Sequence, residues 1–276
     1  MTVGICGLGL IGGSMAKAYK VEGHTVYGYD NDAATLGYAS IASIIDGELN
    51  DEMLDKCELI YIALYPVATV NYLENIAPKL RKDTVVIDLC GTKQLVCEKG
   101  FALANKYGFT FVGGHPMAGT QYSGIKYSKA TLFKNAPIVI VPPTYDDIEF
   151  LDNIKKLLAP AGFGKISVTT AKEHDEIIAF TSQLAHVVSN AYVKSPTAKL
   201  HKGFSAGSYK DLTRVAWLNE NMWSELFIEN KEALIFEIET IIKSLSEYKN
   251  AIKNDNITTL TSLLKDGRIA KEEIDG

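Results

Sequence analysis

Short apolar segments alternate with longer amphipathic ones up to about residue 168. Several of the short segments are almost continuously apolar, which is typical of strands covered on both faces. The alternation predicts βαβ units and a mostly parallel sheet. The predicted strands are Thr2–Cys6, Thr25–Tyr29, Leu59–Leu64, Thr84–Leu89, Thr110–Val112, Pro137–Val141 and Lys165–Val168. The helices predicted between them include Gly12–Glu22, Ala68–Pro78 and Lys93–Tyr107.

The strand pattern ends near residue 170, and the rest of the chain is predicted to be helical. We therefore predict an α/β domain at 1–168 followed by an all-α domain at 169–276. The segment Leu234–Leu245 is too apolar to face solvent alone, so we expect the helical domain to form a homodimer interface. The predicted helical segments are Ala171–Ser195, Leu212–Leu218, Met222–Tyr248 and Asn254–Ile269, followed by a short charged tail.

Composition excludes several classes of protein. The 276 residues are 47% hydrophobic and 22% charged, which is ordinary for a globular chain. The net charge of −5 argues against a nucleic-acid partner. No apolar segment is long enough to cross a membrane, and the N-terminus lacks a secretion signal. The four cysteines have neither zinc-site nor disulfide-framework spacing, so we expect no metal and a cytoplasmic location.

A glycine-rich loop follows the first predicted strand and opens the first predicted helix. It reads Gly7-Leu8-Gly9-Leu10-Ile11-Gly12, and Asp30 follows Gly12 by 18 residues, at the end of the second strand. In this context the spacing predicts a dinucleotide-binding Rossmann domain, in which the backbone of the loop approaches the pyrophosphate. An acidic residue at position 30 would accept hydrogen bonds from ribose hydroxyls and repel a 2′-phosphate, which favours NAD over NADP.

A histidine lies in a second glycine-rich segment, Gly113–Gly124, which includes His115-Pro116-Met117-Ala118-Gly119-Thr120-Gln121. Histidine is the side chain most easily poised for proton transfer near neutral pH. His115 follows a predicted strand end, near the edge where ligands bind to parallel sheets. The segment is therefore a candidate catalytic loop, although a histidine in a glycine-rich loop can also be purely structural.

The sequence resembles the prephenate/arogenate dehydrogenase family of tyrosine biosynthesis. The resemblance rests on GLGLIGGS at 7–14, HPMAGTQYSG at 115–124 and KDLTR at 210–214, with Met222-Trp223, in the family's order. It implies an NAD(P)-dependent oxidative decarboxylation of prephenate to 4-hydroxyphenylpyruvate. It also implies a Rossmann domain followed by a helical dimerisation domain, in agreement with the division at residue 168.

The resemblance implies roles for individual residues. His115 matches the catalytic base, and Arg214 matches the arginine that binds a substrate carboxylate, for which a guanidinium is well shaped. Without the resemblance, Arg214 could also be a surface residue paired with Asp211, and a histidine on an apolar helix such as His186 is more often a core residue. His186 matches a second histidine near the substrate. Thr120 and Gln121 match positions that line the same pocket, and Gly207 and Trp223 match positions near the substrate arginine. Trp223 could equally be a core or interface residue.

Three positions depart from the family pattern. Gly91 occupies the place of a serine that helps to hold the substrate hydroxyl or the catalytic histidine, and the neighbouring Thr92 hydroxyl is a candidate replacement. Gln121 stands where some members have glutamate, which removes a negative charge beside an anionic substrate. Gln183 replaces the histidine of a Ser-His pair.

Other activities remain open at this point. Arogenate differs from prephenate in carrying an ammonium group, for which Gln121 offers no anion, so we favour prephenate. A β-hydroxy acid dehydrogenase would need a lysine base, and Lys172, Lys194 and Lys210 are available without its motif. A non-catalytic NAD sensor would leave His115 and Arg214 unexplained.

Overall fold

The computed structural model describes residues 1–120 and 122–275. Its sheet has the strand order β3-β2-β1-β4-β5-β6-β7-β8, and every pairing is parallel except that of β6 with β7. The predicted fold class is confirmed, with a mostly parallel sheet followed by helices. The strands are β1 (Thr2–Cys6), β2 (Thr25–Tyr29), β3 (Gly47–Glu48), β4 (Leu59–Ile62), β5 (Val85–Asp88), β6 (Thr110–Pro116), β7 (Pro137–Val141) and β8 (Lys165–Val168).

Helices cover the sheet and continue beyond it. They are α1 (Leu10–Val21), α2 (Ala33–Ile41), α3 (Asp51–Leu54), α4 (Pro66–Ile76), α5 (Gln94–Tyr107), α6 (Ile148–Leu158), α7 (Ala171–Ile178), α8 (Ala185–Tyr192), α9 (Gly207–Thr213), α10 (Glu220–Glu229), α11 (Lys231–Lys253) and α12 (Ile257–Asp275). Of these, α2, α3 and α6 fall outside the predicted segments. Strand β3 is also unpredicted, because two residues are too few for an alternating pattern.

The two faces of the sheet belong to different apolar clusters. In β4, Leu59 and Tyr61 join one cluster while Ile60 and Ile62 join the other. Successive side chains of a strand point to opposite faces, so this division shows that helices cover both sides. It explains why the central strands are almost continuously apolar.

Strand β6 is longer than predicted and has two kinds of partner. Residues 110–112 pair in parallel with β5, whereas residues 113–116 pair antiparallel with β7. His115 therefore lies within the strand rather than after it, opposite Val139. The pairing with β7 holds the histidine on regular backbone, which limits its freedom to move.

The predicted helical segments are more broken than their periodicity indicates. A π-helical segment, Ala179–Leu184, separates α7 from α8, and Asn230 separates α10 from α11. The buried Asn230 side chain donates to the carbonyl oxygen of Asp175 at 2.7 Å and to Oε1 of Gln183 at 2.9 Å. Such tertiary hydrogen bonds are invisible to a periodicity argument. The charged tail, expected to lie beyond the last helix, is part of α12 up to residue 275.

The chain divides into two compact units, residues 1–230 and 231–276. The second unit consists of α11 and α12, joined by a hydrogen bond from the Tyr248 hydroxyl to the carbonyl oxygen of Leu263 (3.1 Å). This division follows contact density, and the functional boundary at residues 168 and 169 remains a prediction. Within residues 1–120 and 122–275, no helix is long and apolar enough to span a bilayer.

Candidate active site

The glycine loop joins β1 to α1 at the carboxyl edge of the sheet. Gly7 has a φ of +84°, and a Cβ there would lie 2.5 Å from the carbonyl oxygen of Ala63. A Cβ on Gly12 would lie 1.8 Å from the carbonyl oxygen of Gly7, so both positions require glycine. A Cβ on Gly9, by contrast, would meet no atom within 4 Å. Open space therefore lies above the middle of the loop.

Asp30 lies directly after β2 and contacts the same loop. Its Oδ2 accepts a hydrogen bond from the backbone amide of Leu8 at 2.8 Å, and its Oδ1 accepts one from Asp32 at 2.9 Å. An ionised carboxylate can accept about four hydrogen bonds, so two acceptor positions remain for hydroxyl groups. A cavity of about 800 Å³ borders Asp30 and is lined also by Tyr29, Asn50 and Tyr72.

These residues fit a dinucleotide. No side chain caps the N-terminus of α1, where Leu10 and Ile11 form the first turn, so its N–H groups are available to an anion. The open space at Gly9 admits a pyrophosphate, and the cavity beside Asp30 is large enough for a nucleoside. Gly7, Leu8, Gly9, Gly12 and Asp30 are all brought together, as the sequence predicts.

His115 is half-buried near the end of β6. Two glycines precede it, and a Cβ on Gly114 would lie 2.6 Å from the carbonyl oxygen of Asp88. A Cβ on Gly113 would lie 2.5 Å from Sγ of Cys97. The glycines thus let β6 pack closely against β5 and α5, which fixes where the histidine emerges.

A second histidine and an aspartate, neither of them predicted as site residues, are hydrogen-bonded to His115. Nδ1 of His115 lies 2.9 Å from Nε2 of His174, and Nδ1 of His174 lies 2.7 Å from Oδ1 of Asp175. The Asp175 carboxylate also accepts the backbone amides of Lys93 (2.7 Å) and Gln94 (2.9 Å). His174 and Asp175 are both buried. The site thus contains a chain of three side chains, His115–His174–Asp175.

Sequence reasoning missed this pair because His174 and Asp175 lie in an amphipathic segment of ordinary appearance. A local signal was nevertheless present. Thr170 and Glu173 form a capping box at the start of α7, with the Thr170 hydroxyl accepting the Glu173 amide at 3.1 Å. The capping box therefore fixes the start of the helix that carries the buried His174 and Asp175.

A buried ion pair lies beneath His115. Lys93 and Asp88 are both fully buried, and the Lys93 ammonium donates to Oδ2 of Asp88. The Asp88 carboxylate also accepts the backbone amides of Cys90 at 2.9 Å and Gly114 at 3.2 Å. Asp88 therefore connects the end of β5 to the residue that precedes His115.

The surroundings of His115 favour its neutral form. Burial, the neighbouring His174 and the Lys93 ammonium together lower the pKa of His115 well below its usual range. Burial also lowers the pKa of His174, although its hydrogen bond to Asp175 acts in the opposite direction. At neutral pH both imidazoles are uncharged, and His115 can accept a proton.

Thr92 and Gly91 do not hold His115. Thr92 is 2% exposed, and its Oγ1 has no hydrogen-bond partner among the described residues. A Cβ on Gly91 would lie 3.3 Å from two methyl groups of Leu226. In the described part of the chain, the side chain that is hydrogen-bonded to His115 is His174. A role of Thr92 toward the substrate remains a prediction.

His186 and Arg214 belong to a second group of side chains. Nδ1 of His186 donates to the carbonyl oxygen of Val215 at 2.8 Å, and the His186 ring packs on Trp223 with ring centroids 3.8 Å apart. Burial lowers the pKa of His186, and the nearby Arg214 lowers it further, although the Val215 hydrogen bond raises it. His186 is therefore held against the turn that begins at Arg214.

Arg214 is exposed. Its side chain forms no ion pair with any residue of 1–120 or 122–275, and Asp211 is among those residues. Gly207 is the first residue of α9. The Thr120 hydroxyl is engaged locally, donating to the carbonyl oxygen of Tyr122 and accepting its amide, both at 3.2 Å. Gln121 lies outside the described residues. Within the described part, no hydrogen bond joins His115 to this second group.

Comparison with known families and structures assigns the chain to a family. Residues 15–167 match the model for the nucleotide-binding domain of prephenate dehydrogenase, and residues 170–266 match the model for its dimerization domain. A cyclohexadienyl dehydrogenase of Zymomonas mobilis is 28% identical over 281 residues, covering 98% of this chain and 94% of the relative.

Two solved structures resemble the chain along almost its whole length. Prephenate dehydrogenase from A. aeolicus, in complex with hydroxyphenyl propionate and NAD+, has a TM-score of 0.84 and 30% identity, covering 100% of this chain and 98% of that one. Synechocystis arogenate dehydrogenase has a TM-score of 0.81 and 27% identity, covering 99% and 100%. The three names differ in substrate, and all three proteins are named dehydrogenases. With both domain models matched in order, this chain belongs to the prephenate dehydrogenase family.

Proposed function

We propose that the protein catalyses the NAD-dependent oxidative decarboxylation of prephenate to 4-hydroxyphenylpyruvate. The observation that carries this proposal is His115, a neutral imidazole at the carboxyl edge of the sheet whose Nδ1 is engaged by His174. Its Nε2 has no hydrogen-bond partner among the described residues, so it is available to a substrate hydroxyl. The family match supports the reaction class.

The cofactor would lie along the glycine loop, with its pyrophosphate at the N-terminus of α1. Asp30 would accept the ribose hydroxyls and disfavour a 2′-phosphate. When bound, NAD supplies the acceptor for the hydride that leaves C4 of the substrate. The loop and Asp30 contribute orientation rather than chemistry.

His115 would manage the proton on the substrate's ring oxygen. Nε2 accepts the 4-hydroxyl proton as the C4–H bond breaks, which favours the developing carbonyl. The bond between C1 and the ring carboxylate then breaks, its electron pair enters the ring, and carbon dioxide leaves. The ring oxygen recovers the proton from His115 and becomes a phenol. The aromatic product is strongly favoured, so the base and the orientation are what the protein must supply.

Arg214 would bind a carboxylate of the substrate. Its guanidinium is exposed and has no ion pair among the described side chains, so it is free to make a bidentate contact. The three lysines that could serve a β-hydroxy acid dehydrogenase, Lys172, Lys194 and Lys210, are all exposed. A general base must be held within hydrogen-bond reach of the substrate, and an exposed side chain is not held in this way.

One observation favours arogenate as the alternative substrate. Because Nδ1 of His186 donates to Val215, neutral His186 presents only a lone pair on Nε2. A lone pair suits the ammonium of arogenate, whereas the pyruvyl group of prephenate requires a donor. Prephenate binding at this position therefore requires protonation of His186, and Arg214 supplies a permanent cation beside it.

The deciding experiment follows NADH formation by absorbance, with NAD and either prephenate or arogenate in separate reactions. Turnover of prephenate with release of carbon dioxide supports the proposal. Preference for arogenate would overturn the substrate and leave the reaction type intact. Activity with neither would overturn the proposed function. His115→Asn is the matched control, since it should lose turnover and still bind NAD.

We also propose that the chain acts as a homodimer formed through its helical part. Helix α11 exposes a series of large apolar side chains, and exposure of so many is costly for a monomer. These are Ile235, Phe236, Ile242, Leu245 and Ile252. Light scattering after size-exclusion chromatography should give twice the chain mass, and Phe236→Glu should reduce it. A monomeric wild-type protein would contradict the proposal.

A further inference from the structure

We propose that His174 and Asp175 are positioning residues that hold His115 in one tautomer, with its proton on Nδ1 and its lone pair on Nε2. The catalytic consequence rests on the proposed function of His115. The tautomer itself is a property of the free protein and can be tested without any substrate.

The direction of each hydrogen bond follows from the last acceptor in the chain. An ionised carboxylate only accepts, and Asp175 already accepts the backbone amides of Lys93 and Gln94. Nδ1 of His174 lies 2.7 Å from Oδ1 of Asp175, so it must carry the proton. Neutral His174 therefore has a lone pair on Nε2. The contact of 2.9 Å then requires His115 to donate from Nδ1.

Asp175 is held from several directions, so the donors and acceptors of the His115–His174–Asp175 hydrogen bonds cannot easily exchange roles. Its carboxylate bonds to two amides at the start of α5, and its carbonyl oxygen accepts the Asn230 side chain at 2.7 Å. Thr170 and Glu173 cap the helix that carries it. Rotation of the His174 ring would break the bonds to both Asp175 and His115.

The same arrangement would assist the proton transfer. When His115 takes a proton on Nε2, its Nδ1–H continues to donate to His174, and the Asp175 anion lies at the end of the hydrogen-bonded chain. A carboxylate that orients a catalytic imidazole and stabilises its cation acts in the same sense in hydrolase triads. The pair should therefore affect kcat more than the KM of the substrate.

A purely structural role for the pair makes a different prediction, and two amide substitutions at position 174 separate the roles. The amide of His174→Asn can occupy the place of Nδ1 and bond to Asp175, but it does not reach His115. The amide of His174→Gln can reach the place of Nε2 and accept from His115, but it gives up Asp175. If the pair is only structural, His174→Asn should behave like wild type because it keeps the bond to Asp175. If the pair positions His115, His174→Gln should behave more like wild type because it keeps the bond to His115.

The first measurement is a long-range proton–nitrogen correlation spectrum of the ligand-free, nitrogen-15-labelled protein, with the His115 signals assigned by comparison with His115→Asn. Wild type and His174→Gln should show His115 protonated on Nδ1, and His174→Asn should show it protonated on Nε2 or mixed. A wild-type His115 protonated on Nε2 overturns the proposal. The wild-type result does not depend on the enzyme's substrate, and it does not require either position-174 variant to fold.

The second measurement is steady-state kinetics at saturating NAD. His174→Asn should lower kcat on the order of 10- to 100-fold, part of the ~10²–10⁴ that a general base supplies, and leave the affinity for NAD unchanged. His174→Gln should retain more of kcat than His174→Asn. A kcat of His174→Asn equal to or higher than that of His174→Gln would overturn the proposal. If wild type turned over no cyclohexadiene substrate, the proposed function would fail while the tautomer result stood.

Discussion

The backbone amide of Leu8 donates a 2.8 Å hydrogen bond to the Asp30 carboxylate, so the residue predicted to select the cofactor also anchors the loop that would bind it. Loop geometry and ribose recognition therefore depend on one side chain. Substitution of Asp30 should alter both.

Asp30→Ala should weaken NAD binding by roughly 10- to 100-fold and reduce the preference for NAD over NADP, because hydrogen bonds to a charged group are worth about 1.5–3 kcal/mol. Affinities for both cofactors would be measured by fluorescence titration. Asp32→Ala is the matched control, since Asp32 caps α2 through Ala34 and Thr35. It should lower stability by about 1 kcal/mol without changing the cofactor ratio. An Asp30→Ala protein that still rejected NADP would contradict the assignment.

Two alanine substitutions in the glycine loop should have opposite consequences. A Cβ on Gly12 meets the Gly7 carbonyl oxygen at 1.8 Å, so Gly12→Ala should destabilise the fold by about 1–3 kcal/mol or more. Gly9→Ala adds a methyl group where no atom lies within 4 Å, so its thermal midpoint should match wild type while NAD binds more weakly. Thermal unfolding and NAD titration test both. Normal NAD binding by Gly9→Ala would place the pyrophosphate elsewhere.

Arg214→Ala should raise the substrate KM by roughly 10- to 100-fold, since a charge-assisted contact is worth about 1.5–3 kcal/mol. The kcat should change little if the contact is equal in ground and transition states. Lys210→Ala removes an equal charge from the same exposed segment and should leave KM near its wild-type value. Steady-state kinetics on the two variants would decide the matter, and equal KM values would remove Arg214 from the site.

On the acid side, kcat/KM should fall at a pH below the usual pKa range of histidine. His115 must be neutral to accept a proton, so activity is present above its pKa and is lost as the pH falls through it. Burial, His174 and Lys93 lower that pKa well below about 6.5, so the fall in kcat/KM shifts to lower pH. The measurement is kcat/KM over acidic and neutral pH, with NAD affinity as the control. If kcat/KM began to fall at a pH above 7, His115 would not be a buried base that is neutral at neutral pH.

Lys93→Met should destabilise the protein by about 3–5 kcal/mol, because it leaves the fully buried Asp88 carboxylate without its cation. The double variant Lys93→Met, Asp88→Asn removes both charges and should recover part of the loss. Chemical denaturation of both variants measures the effect. If the single variant were as stable as wild type, Lys93 would not compensate Asp88.

The glycine loop shows what sequence can predict well. Gly7, Gly9 and Gly12 are close in sequence, and local geometry requires glycine at Gly7 and Gly12, so the spacing of the motif predicts the shape of the loop. His115 was found in the same way, although the predicted end of its strand was wrong. The antiparallel pairing of Gly113–Pro116 with β7 extends the strand, and a pairing partner that is distant in sequence leaves no mark on local periodicity.

By itself, the sequence determined the alternation of strands and helices, the dinucleotide loop, the candidate base and the family resemblance. Only the tertiary structure decided that His174 is hydrogen-bonded to both His115 and Asp175, that the Thr92 hydroxyl has no hydrogen-bond partner among the described residues, and that Asn230 interrupts a helix. Positions 115 and 174 are 59 residues apart in the chain. A hydrogen bond over that separation depends on how α7 packs against α5 and β6. Periodicity and motif spacing carry no information about such packing.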